Sequence, residues 1–358
     1  MKKGKLMIGV LVVSILLSVS AVGAVRAADV IGLKAATWFP TSHPVYQQVL
    51  IPWGQLVEKR SNGRVKFVWF PDGSLVKNEQ GLSAIKGGMV DVMAPLSIWA
   101  FDKQFPIVTA IYMPMQLDSE THASRSFYDA FQRMPEIREE CKGMKIVGFA
   151  SSGIANFHMK DILAKTPSDF KGQRVWPANS IGVQCAKLWG AVPTLVKMAD
   201  IYMSLQRGTL DGVWFPTPPI ADFRFTDMIK NHTLCGFCAG SQAVVINQAK
   251  WDSLPSDIQK IFDELTLPLS IAIGNKFGEM NDHIIGELRK RGDNIYVLSR
   301  KEKDEWRASI QPIFDAQAAD ITAAGRDGKA IMAKIQTIVA EAREKPSKVT
   351  QDWQVVKE

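Results

Sequence analysis

Along residues 32 to 96 the chain alternates strand-like and helix-like runs, and this alternation constrains the fold more than any other feature. Residues 32–39 alternate and stop at Pro40, as a strand entering a loop does. Val45, Val49, Trp53 and Leu56 then recur at helical spacing, with Ser42 placed to cap the start and Ser61-Asn62-Gly63 to close the end. Residues 64–70 are rich in β-branched and aromatic side chains and halt at the turn Pro71-Asp72-Gly73. A short helix over residues 78–86 and an apolar segment over residues 89–96 continue the pattern. Strands joined through helices require a mainly parallel sheet covered on both faces, the α/β class. Ligands of such sheets sit beyond the carboxyl ends of the strands, so the loops there are where binding residues are sought.

Further strands are expected at residues 145–150, 241–247 and 294–299. A helical pattern from Pro255 to Arg291, broken by Pro268, is long enough to run through two domains, and residues 301–324 read as a further helix. A polar turn at Ser151-Ser152-Gly153 marks a domain crossing. The division expected is a leader over residues 1–27, one lobe from 28–151 with 240–279, a second from 152–239 with 280–335, and a C-terminal tail over 336–358, charged and loose from Arg343 onward. At 358 residues and 46% apolar content, each lobe can bury its own core.

The leader reads as an export signal that is cleaved: Lys2, Lys3 and Lys5 precede an apolar run, and Val25-Arg26-Ala27 resembles a cleavage site. Those lysines and Arg26 carry four of the chain's formal +7, leaving +3 on the mature protein. Such a balance, spread along the chain, excludes a nucleic-acid role, which needs a concentrated basic stripe.

Four cysteines are too few to staple a chain of this length. Cys235-Gly-Phe-Cys238 has CxxC spacing with His232 three residues before it, yet no second half-site completes a metal centre. The reading is a structural disulfide or inert thiols, with no metal and no cofactor. No nucleophile elbow, zinc-protease helix, phosphate loop or dinucleotide fingerprint occurs. Asp200 and Asp211 form the one carboxylate pair that a hydrolase reading could use, and helix entry and an Asp-Gly turn explain them more simply.

Arg174 follows Gly172 and precedes Val175-Trp176-Pro177, so the backbone is extended. With Val175 in the core, alternation turns Arg174 and Trp176 the other way, toward a cleft. A guanidinium there can hold a carboxylate or sulfonate through two parallel hydrogen bonds. Trp38, Trp99, Trp176 and Trp214 fall near strand ends, with Phe39 and Phe215 beside two of them, and can wall a pocket. His43, ahead of a helix start, and Asn78, Asn156 and Asn179 are candidate polar contacts.

Several spaced blocks resemble the solute-binding subunit of tripartite ATP-independent periplasmic (TRAP) transporters. They are Pro167-Ser168-Asp169-Phe170-Lys171-Gly172-Gln173-Arg174-Val175, Gly190-Ala191-Val192-Pro193 and the run from Asp200 through Leu205-Gln206-Arg207-Gly208 to Asp211-Gly212. Gly63-Arg64-Val65 and Trp251-Asp-Ser-Leu-Pro255 add to it, so the likeness covers nearly the whole mature chain. The resemblance implies a two-lobed periplasmic binding protein, mixed but mainly parallel in its sheets, with a long helix through both lobes and hinge closure on the ligand. It implies delivery to a small and a large integral membrane subunit, no catalysis, and Arg174 at the position of the family's carboxylate-binding arginine. A monomer is expected. Phe215 stands where many members carry a ligand-contacting asparagine, and residues 152–156 lack a second arginine that many members carry. These departures favour a compact or partly apolar monoanion, a carboxylate or an alkyl sulfonate such as isethionate. A sensing module built on the same fold is the alternative.

Overall fold

The computed structural model describes residues 30–345 and 347–356. Among these, ten strands join in one sheet: β1 (Ile31–Ala36), β2 (Val65–Phe70), β3 (Val92–Ser97), β4 (Met144–Met159), β5 (Arg174–Pro177), β6 (Val192–Pro193), β7 (Gly212–Pro216), β8 (Asn231–Leu234), β9 (Ala239–Asn247) and β10 (Asn294–Val297). The order is β2-β1-β3-β9-β4-β7-β5-β6, with β8 also on β4 and β10 on β8. Pairings of β1 with β2 and β3, of β5 with β6 and β7, and of β8 with β10 are parallel. Those that β9 makes with β3 and β4, and β4 with β7 and β8, are antiparallel.

Strand β4 makes the molecule two-lobed. Up to Ser151 it pairs with β9; from Ala155 to Met159 it pairs with β7, and over its last three residues with β8 as well. The register slips between Ser151 and Ile154, at Gly153, whose φ of 112° suits a residue without a Cβ. The polar turn expected at Ser151-Ser152-Gly153 is therefore an irregularity inside a continuous strand of 16 residues. Ser151 N–H donates to Ser124 Oγ, which donates onward to the Glu120 carbonyl, so the helix Glu120–Arg133 is seamed to the crossing.

The long helix, Ser256–Lys290, is the second element common to both lobes. Its 35 residues extend about 50 Å. Ile258, Phe262, Leu265, Leu269, Ile273 and Phe277 face the first lobe's sheet, while Leu288 and Ile284 join the second lobe's core of Trp176, Ile201, Val213 and Ile220. Pro268 does not break it. A proline inside a helix costs about 3 kcal/mol, and here the residue is buried on the packed face, where burial offsets the lost hydrogen bond. Its neighbour Leu269 presses on Gly148, where a Cβ would lie 2.8 Å from Leu269 Cδ2.

Two further expectations change. Residues 301–324 form two helices, Arg300–Ser309 and Gln311–Ala323, divided before Pro312. Among the described residues the tail is ordered rather than loose: it follows the helix Gly328–Ala342, Lys348–Val349 pairs with Val355–Val356, and Trp353 packs against the first lobe's core.

Candidate functional site

The carboxyl ends of β1 and β2 are stitched into one rim. Thr37 N–H donates to Phe70 O, Gly73 N–H to Thr37 O and Asp72 N–H to Phe39 O. The Phe39 ring stacks on His43 at 3.9 Å and lies 4.4 Å from Trp38. His43 Nδ1 accepts the Val45 N–H at 3.2 Å, which leaves the hydrogen on Nε2. Burial pushes the His43 pKa down to about 4, so it is a neutral ring that caps its helix, not a cation for an anion. The ring does the capping expected of Ser42, whose side chain makes no cap bond.

Trp99 follows β3 and stands at the crossing, where a Cβ on Gly240 would lie 3.5 Å from its Cδ1. Asn78 opens a short helical turn, and its buried Oδ1 has no hydrogen-bond partner.

In the second lobe, alternation along β7 separates neighbours. Phe215 lies on the face of Val213 and meets Trp176 edge to face at 5.4 Å and 85°. Trp176 is anchored by its Nε1–H, which donates to Val196 O at 3.0 Å. Both rings flank the carboxyl ends of β5 and β7, and Pro216 closes that edge by packing on Gly153, whose Cβ would lie 3.2 Å away. Trp214 points to the other side. It is 1% exposed and sits among Phe157, Phe170, Trp189 and Phe237, so this expected pocket wall is core.

Arg174 is not brought together with these residues. It begins β5, three residues or about 10 Å from the carboxyl end. Its Nε donates to Asp211 Oδ2 at 2.9 Å and Nη2 reaches Asp211 Oδ1, while the Arg174 N–H also bonds Oδ2 at 2.7 Å. Partial burial raises the Asp211 pKa, but the Arg174 hydrogen bonds outweigh it and hold the carboxyl below its ordinary value. The fork expected to grip a ligand grips Asp211 instead.

Asn156 is likewise committed. Its Oδ1 accepts Cys235 N–H at 2.9 Å and Gly236 N–H at 3.2 Å, and its Nδ2 donates to Thr217 Oγ1. Asn179 caps the helix Ser180–Leu188 through Gly182 N–H. All four cysteines are buried free thiols, and burial pushes the Cys235 thiol up to about 12, so it is inert. His232 turns from them to His158 and Asp293.

Residues 35–320 match the sequence profile of the bacterial extracellular solute-binding proteins, family 7. The chain belongs to this family. Among family 7 relatives it is 26% identical to the 2,3-diketo-L-gulonate-binding periplasmic protein of Escherichia coli K12, over 57% of this chain and 62% of that one. It is 23% identical to the C4-dicarboxylate-binding periplasmic protein of Rhodobacter capsulatus, over 75% and 81%. A TRAP solute-binding protein from a marine metagenome, specific for aromatic acids and crystallised with 3-hydroxybenzoate, superposes with a TM-score of 0.78 at 20% identity, covering 88% of this chain and all of that one. The family 7 assignment thus agrees with the TRAP-type resemblance and with the two-lobed fold.

No helix among the described residues is long and apolar enough to cross a membrane, and residues 1–27, read as an export signal, lie outside them. Two features of this family 7 chain escaped the sequence reading. Glu120 is buried at the start of its helix and accepts Ile154 N–H at the crossing. His158 meets His232 across β4 and β8, a pairing hidden by a separation of 74 positions in sequence.

Proposed function

We propose that the protein is an exported periplasmic solute-binding protein that captures a small organic acid between its lobes and passes it to the small and large membrane subunits of a TRAP transporter. The lobes are residues 28–151 with 240–279 and residues 152–239 with 280–335. The observation that carries the reading is the Trp176–Phe215 pair, set at the carboxyl ends of β5 and β7 beside the crossing at Gly153. Aromatic faces there suit an acid with an aromatic or alkyl body, a carboxylate or a sulfonate such as isethionate. The relatives named above, which bind diketogulonate, C4-dicarboxylates and aromatic acids, support the acid class.

In this reading Trp38, Trp99, Trp176 and Phe215 are the walls, and Arg174 braces the far end of the second lobe. Closure is a hinge motion at the crossing, driven by contacts that the ligand makes with both lobes only in the closed state. Calorimetry of the mature protein with benzoate, 3-hydroxybenzoate, succinate and isethionate tests it. Saturable binding of at least one acid is expected, weakened tenfold or more, about 1.4 kcal/mol, by Phe215→Ala. Absence of binding across organic acids, or full affinity in the variant, would overturn it.

A further inference from the structure

A buried line of hydrogen bonds runs from the second lobe's flank to its aromatic edge. His158 on β4 and His232 on β8 stand opposite each other, both fully buried. Their Nδ1 atoms are 2.8 Å apart. At one end His232 Nε2 lies 2.9 Å from Asp293 Oδ2, and at the other His158 Nε2 lies 3.1 Å from the Phe215 carbonyl oxygen. Asp293 is 1% exposed and is also held by Arg291, whose Nε donates to Oδ1 at 2.9 Å.

The line is one hydrogen short when both rings are neutral. Both ends, a carboxylate and a carbonyl, only accept. Three bonds therefore need three hydrogens on the four ring nitrogens, whereas two neutral imidazoles supply two. With two, the Asp293 carboxylate claims one on His232 Nε2, the shared bond takes the one on His158 Nδ1, and a bare His158 Nε2 faces the Phe215 oxygen. That leaves lone pair against lone pair at 3.1 Å. A third proton completes the line: carried on His158 Nε2, it bonds the Phe215 carbonyl and makes His158 an imidazolium balanced by Asp293.

We propose that His158 and His232 form a proton-operated latch on Phe215, tying its carbonyl in place when the pair carries three protons and releasing it when the pair carries two. His158 and His232 are positioning residues, since Phe215 is the group that packs on Trp176. Only the latch's bearing on ligand capture rests on the cleft reading.

The charged groups facing the pair are Asp293, Arg291 and Lys230, the last 3.7 Å from Asp293 Oδ1. Burial lowers both pKa values; Asp293 opposes this at His232, while Arg291 and Lys230 add to it. The third proton therefore binds below the ordinary histidine value of 6.5, and the latch closes on acidification.

The test is a pH titration of the mature protein labelled with 15N in histidine and in the tryptophan indole, read by NMR between pH 8 and 4.5. The expected result is uptake of one proton by the pair, with His158 and His232 nitrogens and the Trp176 indole resonance sharing a midpoint below 6.5. Asp293→Asn, which removes the balancing charge, is expected to lower that midpoint by a unit or more. Two protons on the pair across the whole range, or a titration that leaves Trp176 unmoved, would overturn the latch. The readout needs no ligand, so it stands apart from the binding test. A protein that binds no organic acid yet titrates in this way would sink the cleft reading alone.

Discussion

Arg174 and Asp211 close a ring across the amino ends of β5 and β7: the Asp211 carboxylate takes the guanidinium and the Arg174 N–H, and the Asp211 N–H returns to the Arg174 carbonyl at 2.8 Å. The pair fixes the register of two parallel strands whose opposite ends carry Trp176 and Phe215. Arg174→Lys keeps the charge and loses the fork. The expected outcome is a lower melting temperature with the organic-acid dissociation constant unchanged within twofold, measured by scanning and titration calorimetry. A tenfold weaker affinity at unchanged stability would return Arg174 to the role of ligand anchor.

Glu120 makes stability depend on pH. Burial pushes its pKa from 4.5 to about 7, so the folded protein holds a proton that the unfolded chain releases. Stability from this group is complete below pH 4.5, declines by about 3 kcal/mol as pH rises toward 7, and is level beyond. Glu140, pushed by burial to about 7 as well, adds in the same sense. Urea denaturation at pH 5 and pH 8 is expected to show the decline, and Glu120→Gln to reduce it. An equal slope in the variant would refute the assignment.

Gly212 lies where β7 crowds β4. A Cβ there would stand 2.5 Å from the His158 carbonyl oxygen, a backbone atom that cannot swing aside. Gly212→Ala is expected to destabilise by about 3 kcal/mol in urea titrations, at the upper end of what overpacking does. Gly32→Ala meets nothing within 4 Å and serves as the control, with a change under about 1 kcal/mol.

The cysteines give a count. With Cys141, Cys185, Cys235 and Cys238 all buried and free, a thiol reagent at pH 8 is expected to label none in the folded protein and four after denaturation. Two labels instead of four would establish a disulfide.

Local pattern carried much of this fold. The strand-helix-strand opening, the strands near residues 65, 145, 241 and 294, and the family blocks follow from periodicity and from glycines and prolines at joints. What failed to show depended on partners far along the chain. Pro268 reads as a break until the sheet beneath it is known, and Ser151-Ser152-Gly153 reads as a turn until β9 is seen pairing on either side. The site was legible in part. Alternation along an extended strand separates Trp214 from Phe215, but whether a strand's polar first residue meets ligand or a carboxylate such as Asp211 is a matter of tertiary contact.

Because β4 and the long helix both pass uninterrupted between the lobes, neither half of this protein is a portable module. A chimaera that grafts the second lobe of a relative onto this first lobe would have to cut a strand and a helix in mid-course. Exchange of specificity within the family is better attempted by swapping the loops at the strand ends, with the two shared elements left whole.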